Sequence, residues 1–373
     1  MKSIGGGSDM FRLIIRELHL IFEDSGAVLL LLLAMPIYAT IYSIAYGSEV
    51  VESVPIAVVD EDNTSMSREF VEGLRAGANT VVACEVESVA KGRELFYNRD
   101  VYAIVVVPNG YERALLAMER ANIALILDGS HLLLYRAVLE QTMAELIEDG
   151  GPIEFSSEVL YNPSLGYGSF VMPSIVVLLI QQTLLIGVGM VAIRRRRHSV
   201  LIKHRDWLYS IWQVLSITLT HIVIYSLTLT IVLSTLWQLF GFPFNGKVGD
   251  IALFILLYIV ASSTFAQSLS HLFRRREAPI LTLLWNSVPI LLLAGVSYPR
   301  EAFPAWLYDV GRLFPSSSAV DGFIALNTMG VSLQNVKSEI VTLLILAFLY
   351  IFIAIILEKY AYNSKNNRVE CDR

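Results

Sequence analysis

Cysteine is almost missing from this 373-residue chain, with only Cys84 and Cys371 present. The topology read below sets them on opposite faces of a membrane, so no intrachain disulfide is expected. The six histidines have no metal-ligand spacing: His198 and His204 fall in a loop, and His221 and His271 stand alone in or at the end of apolar runs. Charge is scarce at 17% of residues, and none occurs between Glu158 and Arg194. A buried helix of a soluble protein rarely runs so long without charge. A phosphate-cradling loop is missing too. GFPFNGKV at 241–248 spells G-x-x-x-x-G-K, yet Val248 replaces the Ser or Thr that would hold magnesium, and no strand of the βαβ kind precedes it. No cofactor is therefore expected on this chain, and any ATP and magnesium belong to a partner. No basic, aromatic-interleaved surface points to nucleic acid.

Hydrocarbon is what the chain has in quantity: 55% of residues are hydrophobic and the mean hydropathy is +0.58. This is the composition of a multi-spanning membrane protein. Twenty acidic and eight basic residues between 47 and 169 make that stretch −12, which leaves +6 elsewhere in a chain of formal net charge −6. Acidic outside and basic inside is the simplest arrangement. The run at 161–197 sets the orientation. Its apolar part after Pro173 is long enough to cross about 30 Å of hydrocarbon at about 1.5 Å per residue. It stops at Arg194, Arg195, Arg196 and Arg197, and such blocks mark the cytoplasmic side.

From this ruler the fold class follows: a polytopic α-helical membrane protein with six transmembrane helices and an inserted α/β extracytoplasmic domain. Residues 1–25 form a cytoplasmic segment whose apolar positions 11, 14, 15, 18, 21 and 22 repeat at helical spacing. It is either an amphipathic helix in the interface or an extension of the first span at 26–46. Residues 47–169 alternate short apolar runs (54–59, 80–84, 101–107, 122–127, 154–161) with helical patterns, the signature of an α/β layer with a partly parallel sheet. Spans two to six occupy 170–357. The third, at 214–240, follows an interfacial helix around Trp207, and the fifth covers 278–298. The stretch near 300–335 is too apolar for a plain loop and reads as a re-entrant pair of short helices, tolerated where protein satisfies the backbone. Residues 358–373 are a cytoplasmic tail, so both termini lie inside.

Chemistry is thinly represented. The strand-like IAVVD at 56–60 ends in D-x-D-x-T, the nucleophile pattern of haloacid-dehalogenase-type phosphatases, with Asp60 attacking and Asp62 as acid. A lysine and a paired-acid magnesium motif should follow, but Lys91 is the only lysine in the segment and no acid pair follows a later strand. A capped strand-to-helix turn is the plainer reading. A calcium loop at the same place lacks glycine at its sixth position, Ser65, and glutamate at its twelfth, Val71. Within the spans, Gln181, Gln182, Gln267 and Asn286 either line a route or join helices by hydrogen bonds. Asp321 lies in the outer segment with Arg312 as its possible partner. The basic clusters themselves are accounted for by topology and anionic lipid.

Five stretches together resemble one family: VPIAVVDEDNTSMSREFVEGL at 54–74, YAIVVVPNGYERAL at 102–115, LDGS at 127–130, YNPSLGYGSFVMPSIV at 161–176 and PAWLYDVGRLFPSSSAVDGFIALNTMG at 304–330. In this order they are similar to the membrane subunits of ABC-2 type transporters that carry a large extracytoplasmic domain between the first two spans. The resemblance implies a permease of the bacterial inner membrane that exports an amphipathic, drug-like or lipid-like compound. It implies pairing with two cytosolic ATP-binding subunits and with a second permease subunit, identical or related. A periplasmic adaptor and an outer-membrane channel are further partners it allows. Coupling to the ATPase would pass through 11–22, with Arg16, and through the loop carrying Arg194, Arg197, Lys203 and Arg205; translocation or gating would involve Gln181, Gln182, Asn286 and Asp321. The loop RRRRHSVLIKHRDW departs from the family pattern by lacking an acidic-basic run and a Gly-Thr pair. Two other readings stand beside this one: a membrane scaffold relaying ATPase motion without transport, and the membrane-tethered phosphatase.

Overall fold

A computed structural model describes residues 6–46, 53–98, 100–119, 122–127, 132–148, 166–198, 207–298, 300 and 303–371. Two compact units result: Met1–Gly47 with Tyr167–Arg373, and Ser48–Gly166. The first unit opens with α1 (Gly6–Phe22) and α2 (Ser25–Ala45). These are separate helices. The Asp24 carboxylate accepts from the backbone N–H groups of Gly26, at 3.0 Å, and Ala27, at 3.2 Å, and so starts a new helix where α1 has ended. The amphipathic segment is thus no extension of α2. Of its apolar face, Ile21 is buried while Phe11, Ile15 and Phe22 stay exposed.

The second unit contains β1 (Val54–Asp60), α3 (Ser65–Ala76), β2 (Thr80–Glu85), α4 (Val89–Tyr97), β3 (Ala103–Val107), α5 (Tyr111–Leu116), β4 (Ala124–Leu127) and α6 (Leu132–Glu148). The sheet order is β2-β1-β3-β4, with β1 parallel to both neighbours and β4 antiparallel to β3. The near-continuous Val, Ile and Ala runs of β1 and β3 suit central strands covered on both faces. Alternation sends Ile56 and Val58 toward Phe70, Leu74 and Tyr111, and Ala57, Val59 and Ile104 toward Leu95 and Phe96. The run at 154–161 lies outside the described residues.

The chain re-enters the helical unit as α7 (Tyr167–His198), α8 (Trp207–Phe240), α9 (Val248–Ser270), α10 (Ala278–Leu293), α11 (Ala305–Gly311), α12 (Pro315–Asn327) and α13 (Lys337–Cys371). Sequence and structure differ at three points. First, α8 is one helix with a π turn at Val232–Leu236, because no glycine or proline separates Trp207 from the apolar run. Second, the Gly-Val-Gly at 187–189, which reads as a break in the second span, does not interrupt α7. A Cβ on Gly187 would lie 2.4 Å from Leu31, and one on Gly189 2.7 Å from Pro279, so these glycines allow α2 and α10 to approach closely. Third, five helices among the described residues are long and apolar enough to cross a membrane: Ser25–Ala45, Tyr167–Arg196, Trp207–Phe240, Val248–Ser270 and Leu333–Tyr360. The expected fifth span ends at Leu293, since Gly295 takes φ +81° and turns the chain. At 16 residues, α10 is about 24 Å long, short of about 30 Å.

The core of this unit is α7, whose apolar stretch is 94% buried among its neighbours. Helix α12 packs against α7, α9 and α13 together, with Gly322 against the Phe254 ring.

Candidate functional site

At the C-terminal end of α7 three arginines are held by the protein itself. Arg195 forms a two-bonded ion pair with Glu17 of α1, its Nε donating to Oε2 at 2.9 Å, and both side chains are more than nine-tenths buried. Arg194 donates to Glu23 at 2.6 Å and is about one-third exposed. Arg196 donates to the carbonyl oxygens of Ser270, at 2.7 Å, and Phe273, at 3.2 Å, at and just past the C-terminal end of α9. One turn away Arg276 pairs with the buried Asp24, so the cap of α2 also ties down the segment after α9. Attributing these arginines to topology and lipid alone is therefore corrected: three of the four have protein partners.

Arg16 reaches the Tyr209 hydroxyl of α8 at 3.5 Å, and Ser216 of α8 donates to the carbonyl of Met10 at 3.5 Å. Helix α1 thus lies against α8 and is ion-paired to α7. Of Arg197 only the backbone, in α7, is described, and Lys203 and Arg205 lie outside the described residues. The acids Glu17, Glu23 and Asp24 were not singled out from sequence. Asp24 had a signal, standing as a helix-capping residue directly before the apolar run. Glu17 had no comparable signal, standing between Arg16 and His19 in a turn of mixed polarity.

Gln181 is buried, and its Oε1 accepts from the backbone N–H of Ser316 at 2.8 Å. That N–H is in the first turn of α12, which no residue of its own caps. At the other end of α12, Asn327 donates to the Pro243 carbonyl at 3.1 Å and Asn245 donates to the Thr328 carbonyl at 2.7 Å. The turn that spelled a nucleotide loop therefore clamps this helix. Gln182 lies one residue on and faces a cavity of about 210 Å³ with Tyr42, Leu178, Ser287 and Leu291, between α2, α7 and α10. Asn286 is exposed on α10. Asp321 is ion-paired with Arg300 and not with Arg312, because Arg300 is folded under α12, buried, with its guanidinium also donating to the Ser317 carbonyl at 2.9 Å. The four residues expected along a path thus fall in different places: Gln181 inside, Gln182 at a cavity, Asn286 on the surface and Asp321 at an ion pair.

His221, read as standing alone, and Gln267, read as lining a route or joining helices, belong to one network between α8 and α9. His221 Nδ1 is 2.8 Å from Ser263 Oγ, and Gln267 donates to Thr218 at 3.0 Å and to Ser263 at 3.2 Å. In the other unit, Asp60 accepts from the N–H groups of Asp62 and Asn63, both at 3.0 Å, and from the Ser67 hydroxyl at 2.7 Å. Asp62 accepts from the N–H groups of Gly110, at 2.6 Å, and Glu112, at 3.0 Å, joining the β1 turn to the start of α5. The Glu112 N–H above all, helped by Gly110 and Thr64, holds the Asp62 carboxyl below the ordinary range for Asp. Both carboxylates are engaged in shaping the turn, and no cluster of metal-binding side chains occurs among the described residues.

A family model for ABC-2 family transporter proteins matches residues 25–356. A protein of Escherichia coli K12 named "Probable multidrug ABC transporter permease YbhR" is 24% identical over 319 residues, covering 82% of this chain and 86% of its own. The "Inner membrane transport permease YhhJ" of the same organism is 21% identical over 376 residues, covering 93% and 96%. A crystal structure described as "a domain of a putative ABC type-2 transporter from Thermotoga maritima MSB8" covers 26% of this chain and 68% of its own at 15% identity, with a TM-score of 0.23, too loose a superposition to inform the fold.

Proposed function

Since the chain belongs to the ABC-2 transporter family, we propose that it is the permease subunit of an ATP-driven exporter in a bacterial inner membrane, moving an amphipathic, drug-like or lipid-like compound outward. It works beside a cytosolic pair of ATP-binding subunits and a second permease subunit. Both termini face the cytoplasm, residues 47–169 face the outside, and α10 is the short fifth crossing, completed by the outer segment around α12. A periplasmic adaptor docking on 47–169 fits the same arrangement.

The observation that carries this reading is the ion-paired junction of α1 with the end of α7. A push on α1 or on the arginine end of α7 moves the two together, because parting Glu17 from Arg195 would strand both charges out of water. Helix α7 is buried along its length and touches α12 through Gln181, so its displacement reaches the outer segment. The residues that receive the motion are thus Glu17, Glu23, Arg194 and Arg195, and those that convert it are Gln181, Gln182 and the helix that Arg300 and Asp321 anchor. Purification of the tagged chain together with its ATP-binding partner tests this. The complex should hydrolyse ATP faster than the partner alone, and Arg195→Ala should remove the increase while the complex still forms. A stable chain that binds no ATP-binding subunit would overturn the reading.

A further inference from the structure

On the surface of the helical unit, α8 and α9 enclose a groove of about 590 Å³ that is separate from both the arginine cluster and the Gln182 cavity. Its floor is apolar, formed by Leu229, Trp237, Phe242, Ile251 and Ile255. Its depth comes from small exposed residues, Thr230 and Ser234 on one wall and Ala252 on the other. The two hydroxyls are already satisfied on their own helix, Thr230 by the Ser226 carbonyl at 2.7 Å and Ser234 by that of Ile231 at 3.4 Å. The groove therefore presents mostly hydrocarbon, with Ser226 and Gln238 as the remaining polar residues of its lining. From Val248 to Ile259 it runs along α9 for about 17 Å, close to half of a hydrocarbon core about 30 Å thick.

The mouth is chemically different. Phe244 and Val248 line it, and the residue between that turn and α9 is Lys247, exposed and in no ion pair among the described residues. Lys247 occupies the cap position of a 23-residue helix whose first N–H groups receive no side-chain cap. An ammonium beside uncapped N–H donors is a site for a phosphate-type anion. Asp250 in the same first turn offsets part of the charge, which favours a phosphodiester over a more highly charged phosphomonoester.

An apolar channel one leaflet long that ends at a phosphodiester site has one matching occupant. We propose that this groove holds an acyl chain of a membrane glycerophospholipid whose phosphodiester sits at Lys247 and the start of α9. The proposal needs α8 and α9 to span the membrane and is independent of transport or of any ATP-binding partner, so the two readings fail separately.

Native mass spectrometry of the full chain, released from micelles containing palmitoyl-oleoyl-phosphatidylglycerol, tests it. One lipid should remain bound to the wild type under conditions that strip the rest. Filling the groove with Thr230→Phe and Ala252→Phe should remove that lipid, whereas Val223→Phe, at an exposed position outside the groove, should not. Lys247→Gln should weaken retention about fivefold, the order expected of one cation at a lipid surface. Retention unchanged in the filled variant, or unchanged in Lys247→Gln, would overturn the proposal. Equal unfolding midpoints for wild type and variants would show that the loss is not misfolding.

Discussion

Removing one member of the Glu17–Arg195 pair should be among the most costly single changes in the helical unit. Both side chains are almost fully enclosed, at 3% and 6% exposure, and each hydrogen bond of the pair is charge-assisted. Glu17→Ala leaves the guanidinium without its hydrogen-bonded counter-ion in a dry site, with only the more distant Glu358 carboxylate to offset it, and Arg195→Ala leaves a carboxylate. Breaking such a pair costs about 3–5 kcal/mol, whereas a partly exposed pair contributes about 0–1 kcal/mol. Arg194–Glu23, one residue along and about one-third exposed, supplies the internal control: Arg194→Ala should cost under about 1 kcal/mol. Replacing both buried partners, as Glu17→Met with Arg195→Met, should restore most of the loss because no charge is stranded. Unfolding in mixed micelles, followed through the five tryptophans, measures all four variants. Single variants no worse than Arg194→Ala, or a double variant as poor as the sum of the singles, would refute the reasoning.

Three further outcomes follow from particular contacts. Gln181→Leu orphans the Ser316 N–H at the buried start of α12, which should cost about 1–3 kcal/mol and speed hydrogen exchange over residues 315–320; unaltered exchange there would show the bond is dispensable. Gly187→Leu should abolish assembly of the helical unit, since even a Cβ meets Leu31 at 2.4 Å, while Gly249→Ala, with open space around it, should express and elute like wild type. Asp62→Ala should loosen the start of α5 by about 1 kcal/mol at neutral pH, read as faster exchange over 110–116. The Asp62 pKa is depressed in the folded state. Its contribution is therefore complete above the ordinary Asp value and fades as pH falls through the lower folded value, where variant and wild type should converge.

Local patterns in the sequence carried far into the structure. The apolar runs at 54–59, 80–84, 101–107 and 122–127 fall in four strands because short apolar runs bounded by turns leave a local trace. The long apolar helices were legible for the same reason. What stayed hidden depends on residues far apart in the chain. Glu17 and Arg195 are separated by 178 positions and Asp24 and Arg276 by 252, and periodicity holds no information about such pairs. Asp321 was matched to Arg312 by nearness in sequence, yet the turn at Gly295 folds Arg300 beneath α12 and gives it the shorter reach. The role of the α7 glycines in close packing is visible only once Leu31 and Pro279 are in place.

The central claim is that ATP-driven motion arriving at the ion-paired end of α7 moves an amphipathic compound across the membrane. Its most direct test is transport in proteoliposomes holding this chain, its second permease subunit and the ATP-binding pair, with a fluorescent amphipathic dye as cargo. ATP should drive dye accumulation that disappears with Arg195→Ala, whose pair is buried, and is only weakened by Arg194→Ala, whose pair is partly exposed. ATP hydrolysis stimulated by the chain with no dye or lipid moved would contradict export and leave a relay of motion without transport.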